Sequence, residues 1–228
     1  VRVSDRKQLE ENMIEGFRRP ELSDAELISD YFHKYPTRSC DRTFANVYLW
    51  AKFYQVEFTK YKNTLVFRDN SAGYGYAFPV GAEEDVRAVI PDLIRDAKEA
   101  GKPFCLYGIT REHFEQIEQW FPGQFTCEYN RDEADYVYET EKLATLSGKK
   151  LHSKRNQINK FKQVYDGRWE YEKLTEDQVE DCFQMAMRWR KENECEEDEE
   201  KNQEMCVTMN SLRLLKELCL IGGVLKID

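Results

Sequence analysis

Three short strand-like runs lead directly into a long amphipathic helical pattern, and this order constrains the fold more than any other feature of the sequence. The runs are residues 55–58, 64–68 and 74–80. Turn-forming residues separate them, at Asn63 and at 70–73. The helical stripe that follows, within 83–100, consists of Val86, Val89, Ile90, Leu93 and Ala97. A meander followed by a helix that must bury an apolar stripe indicates an α+β layered domain.

The remaining patterns continue this mixture of helices and strands. Helices are predicted to begin at Ser23, Arg42, Thr110, Lys149 and Thr175, with another around Met205. Short strands are predicted at 103–107, 124–129, 135–139, 168–171 and 220–227. The last run ends in Asp228 without a turn and a following strand, so we expect it to lack a partner.

Composition and charge place limits on the class of protein. The chain has 228 residues, of which 34% are charged, and its mean hydropathy is -0.77. No apolar run approaches the roughly 18 residues that span a bilayer, and the N-terminus has no apolar core of a signal peptide. We therefore expect a soluble, cytoplasmic protein. The net charge of -9 argues against unspecific binding to nucleic acid over the whole surface.

The distribution of cysteine and histidine argues against a metal centre. Seven cysteines are scattered without a Cys-x-x-Cys pair, and the three histidines are equally dispersed. This pattern favours reduced thiols and no metal ligands. A nucleophilic Cys40 would need a nearby base that the sequence does not supply, so a cysteine enzyme is rejected.

One basic segment, residues 148–162, stands out against the acidic average. It holds six cations and no acid. At about 100° per residue, its apolar side chains share one arc of a helix, with Lys154 inside or beside the arc and Arg155 at its edge. Such cations need an anion, which is either a ligand's phosphate or carboxylate, or one of the chain's own carboxylates. The sequence leaves these alternatives open.

Four sequence motifs resemble those of a known family. They are 35–46 (YPTRSCDRTFAN), 134–150 with its ADYVY and LATLSGKK, 152–161 (HSKRNQINKF) and 222–225 (GGVL). From about Met13 to its last residue, the chain resembles a bacterial family grouped with the phosphatidylglycerol lysyltransferase C-terminal domain. The resemblance implies two GNAT-like (acyl-CoA N-acyltransferase) domains in tandem, similar to Fem-type transferases. Each would be a mixed, mostly antiparallel sheet flanked by helices.

The resemblance also implies a domain division and a function. Residues 1–12 would be an extension, 13–140 the first domain and 141–228 an incomplete second domain. Fem-type relatives pass an aminoacyl group from charged tRNA to an amine or hydroxyl. The aminoacyl-tRNA, or another phosphate-bearing donor, would be held at the start of the second domain. The expected binding residues are Lys150, His152, Lys154, Arg155, Asn156, Asn159 and Lys160.

Two features of the sequence depart from better-known relatives. Acetyl-CoA-using GNAT enzymes carry an Arg/Gln-x-x-Gly-x-Gly/Ala loop for pyrophosphate, and no segment here matches it, so no CoA cofactor is expected. The transmembrane segment of full-length lysyltransferases has no counterpart here either, so a lipid acceptor is not implied. The alternative function is a binding module that keeps the GNAT scaffold without its chemistry.

Overall fold

The computed structural model describes residues 14–70, 75–132 and 134–228. In chain order the α-helices are α1 Ala25–Lys34, α2 Phe44–Trp50, α3 Glu83–Glu99, α4 Arg111–Trp120, α5 Thr140–Thr145, α6 His152–Val164, α7 Val179–Glu192 and α8 Glu199–Arg213. The strands are β1 Val56–Tyr61, β2 Thr64–Asp69, β3 Gly75–Ala77, β4 Leu106–Tyr107, β5 Trp169–Lys173 and β6 Gly223–Ile227. The predicted extension at 1–12 and most of the predicted turn at 70–73 lie outside the described residues.

The chain divides into two compact units, and each is built from separate stretches of sequence. The first unit runs to Thr126 and takes in Val179–Leu220. The second unit comprises Cys127–Gln178 and Ile221–Asp228. The extension, first domain and second domain expected from the resemblance stay predictions.

A four-stranded mixed sheet organises the first unit, in the order β1-β2-β3-β4. The first three strands are antiparallel neighbours, whereas β3 and β4 run parallel because α3 connects them. Lys62 and Asn63 join β1 to β2, and both have positive φ. This two-residue turn suits the twist of a hairpin. The predicted meander and the α+β class are therefore confirmed.

Strand β2 is buried on both faces, which places it at the centre of the first unit. Leu65 and Phe67 pack in a core with α1, α2 and Leu218. The intervening Val66 points to the opposite face and packs against the apolar stripe of α3. This alternation follows from the period of two along a strand. Helices therefore cover the sheet on both sides.

The second unit contains α5, α6 and the antiparallel pair β5 and β6. Trp169 lies opposite Ile227 and Lys173 opposite Gly223. None of the residues described in this unit is buried. Its apolar side chains therefore line an open groove instead of a closed core.

Four strand predictions are wrong or need correction. Residues 124–129 and 135–139 form no strand, although their apolar character favoured one. Strand β4 is limited to Leu106–Tyr107 within the predicted 103–107. The final strand, predicted to lack a partner, pairs with β5 along its whole length. Its partner lies about 50 residues upstream, beyond the reach of a local pattern.

Candidate functional site

The predicted basic helix exists as α6, preceded by a 3-10 turn at Lys149–Leu151. Five of its side chains line one groove of about 520 Å³: Leu151, Lys154, Gln157, Ile158 and Phe161. The other walls of the groove are Tyr138, Leu143, Leu146 and Leu225. Lys154 thus lies on the apolar arc, as the helical periodicity predicted. We call this the basic groove.

Arg155 is fixed by the backbone of the preceding turn. Its guanidinium Nη1 donates to the carbonyl oxygens of Leu146 and Gly148, the latter at 2.9 Å. Leu146 and Gly148 both have positive φ, so the chain turns sharply between α5 and α6. This turn directs their carbonyls at the start of α6. Arg155 therefore connects α5 and α6. Its observed partners are backbone carbonyls, whereas the sequence predicted either a ligand anion or one of the chain's own carboxylates.

The lysines of the basic segment remain available to a ligand. None of Lys149, Lys150, Lys154, Lys160 and Lys162 forms an ion pair with any residue that the structure describes. All five are exposed. The alternative in which the chain's own acids neutralise Lys154 finds no support in these contacts.

The remaining expected binding residues lie along the exposed part of the same helix. His152 and Asn156 are one turn apart, with Nε2 and Nδ2 separated by 3.3 Å. Asn159 and Lys160 follow one turn later, and Lys150 precedes the helix in the 3-10 turn. The structure therefore places all seven expected binding residues on α6 or the turn before it, but only Lys154 among them lines the groove.

A second cleft, of about 330 Å³, lies in the first unit where the ends of several elements meet. Its walls come from the end of α1, the segment 78–81, the start of α3 and one face of α4. The side chains with polar atoms include Lys34, Arg42, Glu83, His113 and Trp120. We call this the aromatic cleft.

Two contacts shape the aromatic cleft, a stack of two rings and a hydrogen bond. The His113 ring lies 4.0 Å from that of Phe78 at an angle of 6°. The Arg42 Nη2 donates to the Phe78 carbonyl oxygen at 2.7 Å. Burial lowers the pKa of the His113 imidazole, and the charge of Arg42 lowers it further. The ring is therefore neutral near pH 7.

Sequence reasoning did not find the aromatic cleft. Arg42 lies within the polar segment 35–46, just before α2, whose N-terminus is capped by the Thr43 hydroxyl, which accepts from the Asn46 backbone N–H at 3.2 Å. Phe78, His113 and Trp120 are far apart in sequence, so no local spacing predicts that they meet.

The described ranges contain neither a cluster of metal ligands nor a helix able to cross a membrane. No three His, Cys, Asp or Glu side chains there come together as metal ligands would. The helices of those ranges are too short or too polar to cross a membrane.

The sheet-and-helix core defines an α+β protein. The chain belongs to the family "Phosphatidylglycerol lysyltransferase, C-terminal", whose model matches residues 32–228. No protein of curated function matches the sequence. A solved structure, a conserved protein of unknown function from Bacteroides thetaiotaomicron VPI-5482, is similar at 32% identity with a TM-score of 0.85. The similarity covers 94% of this chain and 72% of that one.

Proposed function

We propose that the chain acts in acyl or aminoacyl transfer, with the basic groove holding the phosphates of a charged tRNA or another phosphate-bearing donor. The observation that carries this proposal is Lys154 on the apolar walls of the groove, together with four more exposed lysines between 149 and 162, none of them ion-paired with a described residue. A cation gains most from a phosphate when no internal carboxylate already neutralises it. The membership of a lysyltransferase family supports a transferase, and tandem GNAT-like domains would supply its scaffold.

The groove also offers surfaces for the bases of a single-stranded nucleic acid end. Phe161 and Tyr138 line it, and aromatic rings stack with bases regardless of sequence. Lys154 lines the same groove and is exposed, so it offers a cation to a backbone phosphate. A tRNA acceptor end combines exposed bases with closely spaced phosphates, so both components have a counterpart in the groove.

The transfer itself would depend mainly on positioning. An acceptor amine attacks the ester carbon of the donor, an N–C bond forms, the ester C–O bond breaks, and the proton leaves with the ribose hydroxyl or to solvent. Holding the donor in place converts a bimolecular reaction into an oriented one. No residue is assigned as a general base.

The test measures the binding of charged tRNA to Lys154→Ala and Lys160→Ala variants over a range of salt concentrations. Each substitution is expected to weaken binding by roughly fivefold and to reduce the salt slope by about one. Lys52→Ala, an exposed lysine of the first unit, is the charge-matched control. Unchanged affinity in both α6 variants would remove the donor site.

An assay of the same protein for transfer to amines or hydroxyls separates the two functions. Transfer that depends on Lys154 supports the enzyme. Saturable tRNA binding without transfer to any acceptor would favour a binding module on the same scaffold.

A further inference from the structure

The aromatic cleft has the dimensions of a small-molecule site and is separate from the basic groove. Its volume of about 330 Å³ is at the lower end of the range for ligand pockets. It is lined by both rings and charges, which is the usual composition of a pocket that orients a ligand. The site lies wholly within the first unit.

Arg42 provides a cation that the described chain does not neutralise directly. Its guanidinium donates to the carbonyl oxygen of Phe78, and it forms no ion pair with a described carboxylate. Asp41 is the carboxylate whose charge favours the Arg42 cation, but Asp41 accepts from the Asn46 side chain at 2.8 Å. Burial lowers the pKa of Arg42, so a bound anion would offset a real desolvation cost.

The walls beside Arg42 present flat surfaces. His113 and Phe78 stack almost in parallel, and the His113 Nδ1 accepts from the Thr110 backbone N–H at 3.3 Å. A neutral ring held in this way carries its proton on Nε2 and behaves as a planar wall. Trp120 adds an indole whose Nε1 donates to Glu83 at 3.3 Å. Planar ligands gain most from such walls.

The charges of the cleft favour a monoanion. Two cations, Lys34 and Arg42, and one carboxylate, Glu83, line the cleft, and the charge of the neighbouring Asp41 also acts on Arg42. The cleft therefore has little excess positive charge, which suits a single carboxylate better than a phosphate dianion. A guanidinium fork also matches the planar oxygens of a carboxylate.

We propose that the aromatic cleft binds a small aromatic carboxylate, with Arg42 holding the carboxylate and the rings of His113 and Trp120 holding its planar body, while the buried Phe78 supports the His113 ring from behind. The proposal goes beyond the transfer function, because it concerns a different unit and a different ligand class. It would stand even if the basic groove bound no tRNA.

The test titrates the full chain by calorimetry with benzoate, 2-naphthoate and indole-3-acetate, each beside its uncharged alcohol, and with acetate and inorganic phosphate. At least one aromatic carboxylate is expected to saturate with a Kd below about 1 mM. Its alcohol, acetate and phosphate are expected to bind at least tenfold more weakly. If no aromatic carboxylate saturates, or if the alcohol binds equally well, the proposal is overturned.

Variants assign the binding to the cleft. Arg42→Gln is expected to weaken the best carboxylate at least tenfold, and Lys34→Gln severalfold, whereas Lys52→Gln on an exposed site leaves it unchanged. Equal affinity in all three variants would overturn the assignment. If Arg42→Gln does not fold, the exposed Lys34→Gln and the wild-type comparison of each acid with its alcohol decide the matter.

Discussion

Asp24, Asp92 and Asp96 are buried carboxylates of the first unit, and each one accepts hydrogen bonds from a specific donor. Arg18 contacts both oxygens of Asp24, at 2.7 and 2.5 Å. Lys62 contacts Asp92 at 2.5 Å. Asp96, which is fully buried, accepts from the Ile14 backbone N–H and the Tyr76 hydroxyl. Burying a carboxylate is costly unless such donors surround it.

The pH dependence of stability should report on the Arg18–Asp24 pair. Its hydrogen bonds hold the pKa of Asp24 below the usual value, against the opposing effect of burial. The pair therefore stabilises the fold fully above about 3.9, the unfolded aspartate pKa, and its contribution disappears as the pH falls through the lower folded-state pKa. Asp24→Asn should lower the free energy of unfolding by about 1–3 kcal/mol at pH 7, and by progressively less in acid.

Urea denaturation across this pH range gives the measurement. Asp30→Asn, which alters an exposed carboxylate on the adjoining helix α1, is the matched control and should have little effect. A loss of stability in Asp24→Asn that stays constant down to acidic pH would mean that the pair does not titrate as described.

At the level of elements, helix α3 shows how far the sequence could predict the fold. Each of its five predicted stripe residues is at most 2% exposed. A helix that packs on one sheet face carries that information in its own 3.6-residue period. Strands at 124–129 and 135–139 could not be excluded in this way, because a strand needs a partner that its own pattern does not specify. Tyr136 and Val137 are 77% and 84% exposed instead.

The basic helix shows the same limit for the candidate site. Periodicity correctly placed Lys154 beside the apolar arc and Arg155 at its edge. The carbonyls that hold Arg155 depend on the left-handed turn at Leu146 and Gly148, which helical periodicity does not describe. The aromatic cleft depends on even more distant contacts, such as Arg42 with Phe78.

Arg155 and Lys154 should separate stability from binding, although they are adjacent on α6. Arg155→Ala removes hydrogen bonds from a cation to two carbonyls and should destabilise the second unit by about 1–3 kcal/mol. Lys154→Ala removes an exposed, unpaired side chain and should change stability by less than about 0.5 kcal/mol. Hydrogen exchange of α5 and α6 amides measures the difference. Equal protection in the two variants would contradict the structural role of Arg155.

For the whole molecule, the important feature is that neither unit is continuous in sequence. The chain passes between the units after Thr126, after Gln178 and after Leu220. The core of the first unit includes Leu218, far along the chain from the sheet that it contacts. The second unit needs β6, from residues 223–227, to pair with β5. Truncation of the chain therefore affects the two units differently, depending on whether it removes only residues 221–228 or also residues 179–220.

Two truncated chains test this division. A chain ending at Leu220 keeps every stretch of the first unit and loses β6, so amide exchange should remain slow in α1 and become fast in β5. A chain ending at Gln178 also loses α7, α8 and Leu218, so protection in α1 should fall because the core around Ile28 and Leu65 loses a wall. Hydrogen exchange with mass spectrometry resolves both segments in one experiment. Protected β5 amides in the longer chain, or equal α1 protection in the two chains, would show that residues 179–220 and 221–228 do not complete the two units as the fold implies.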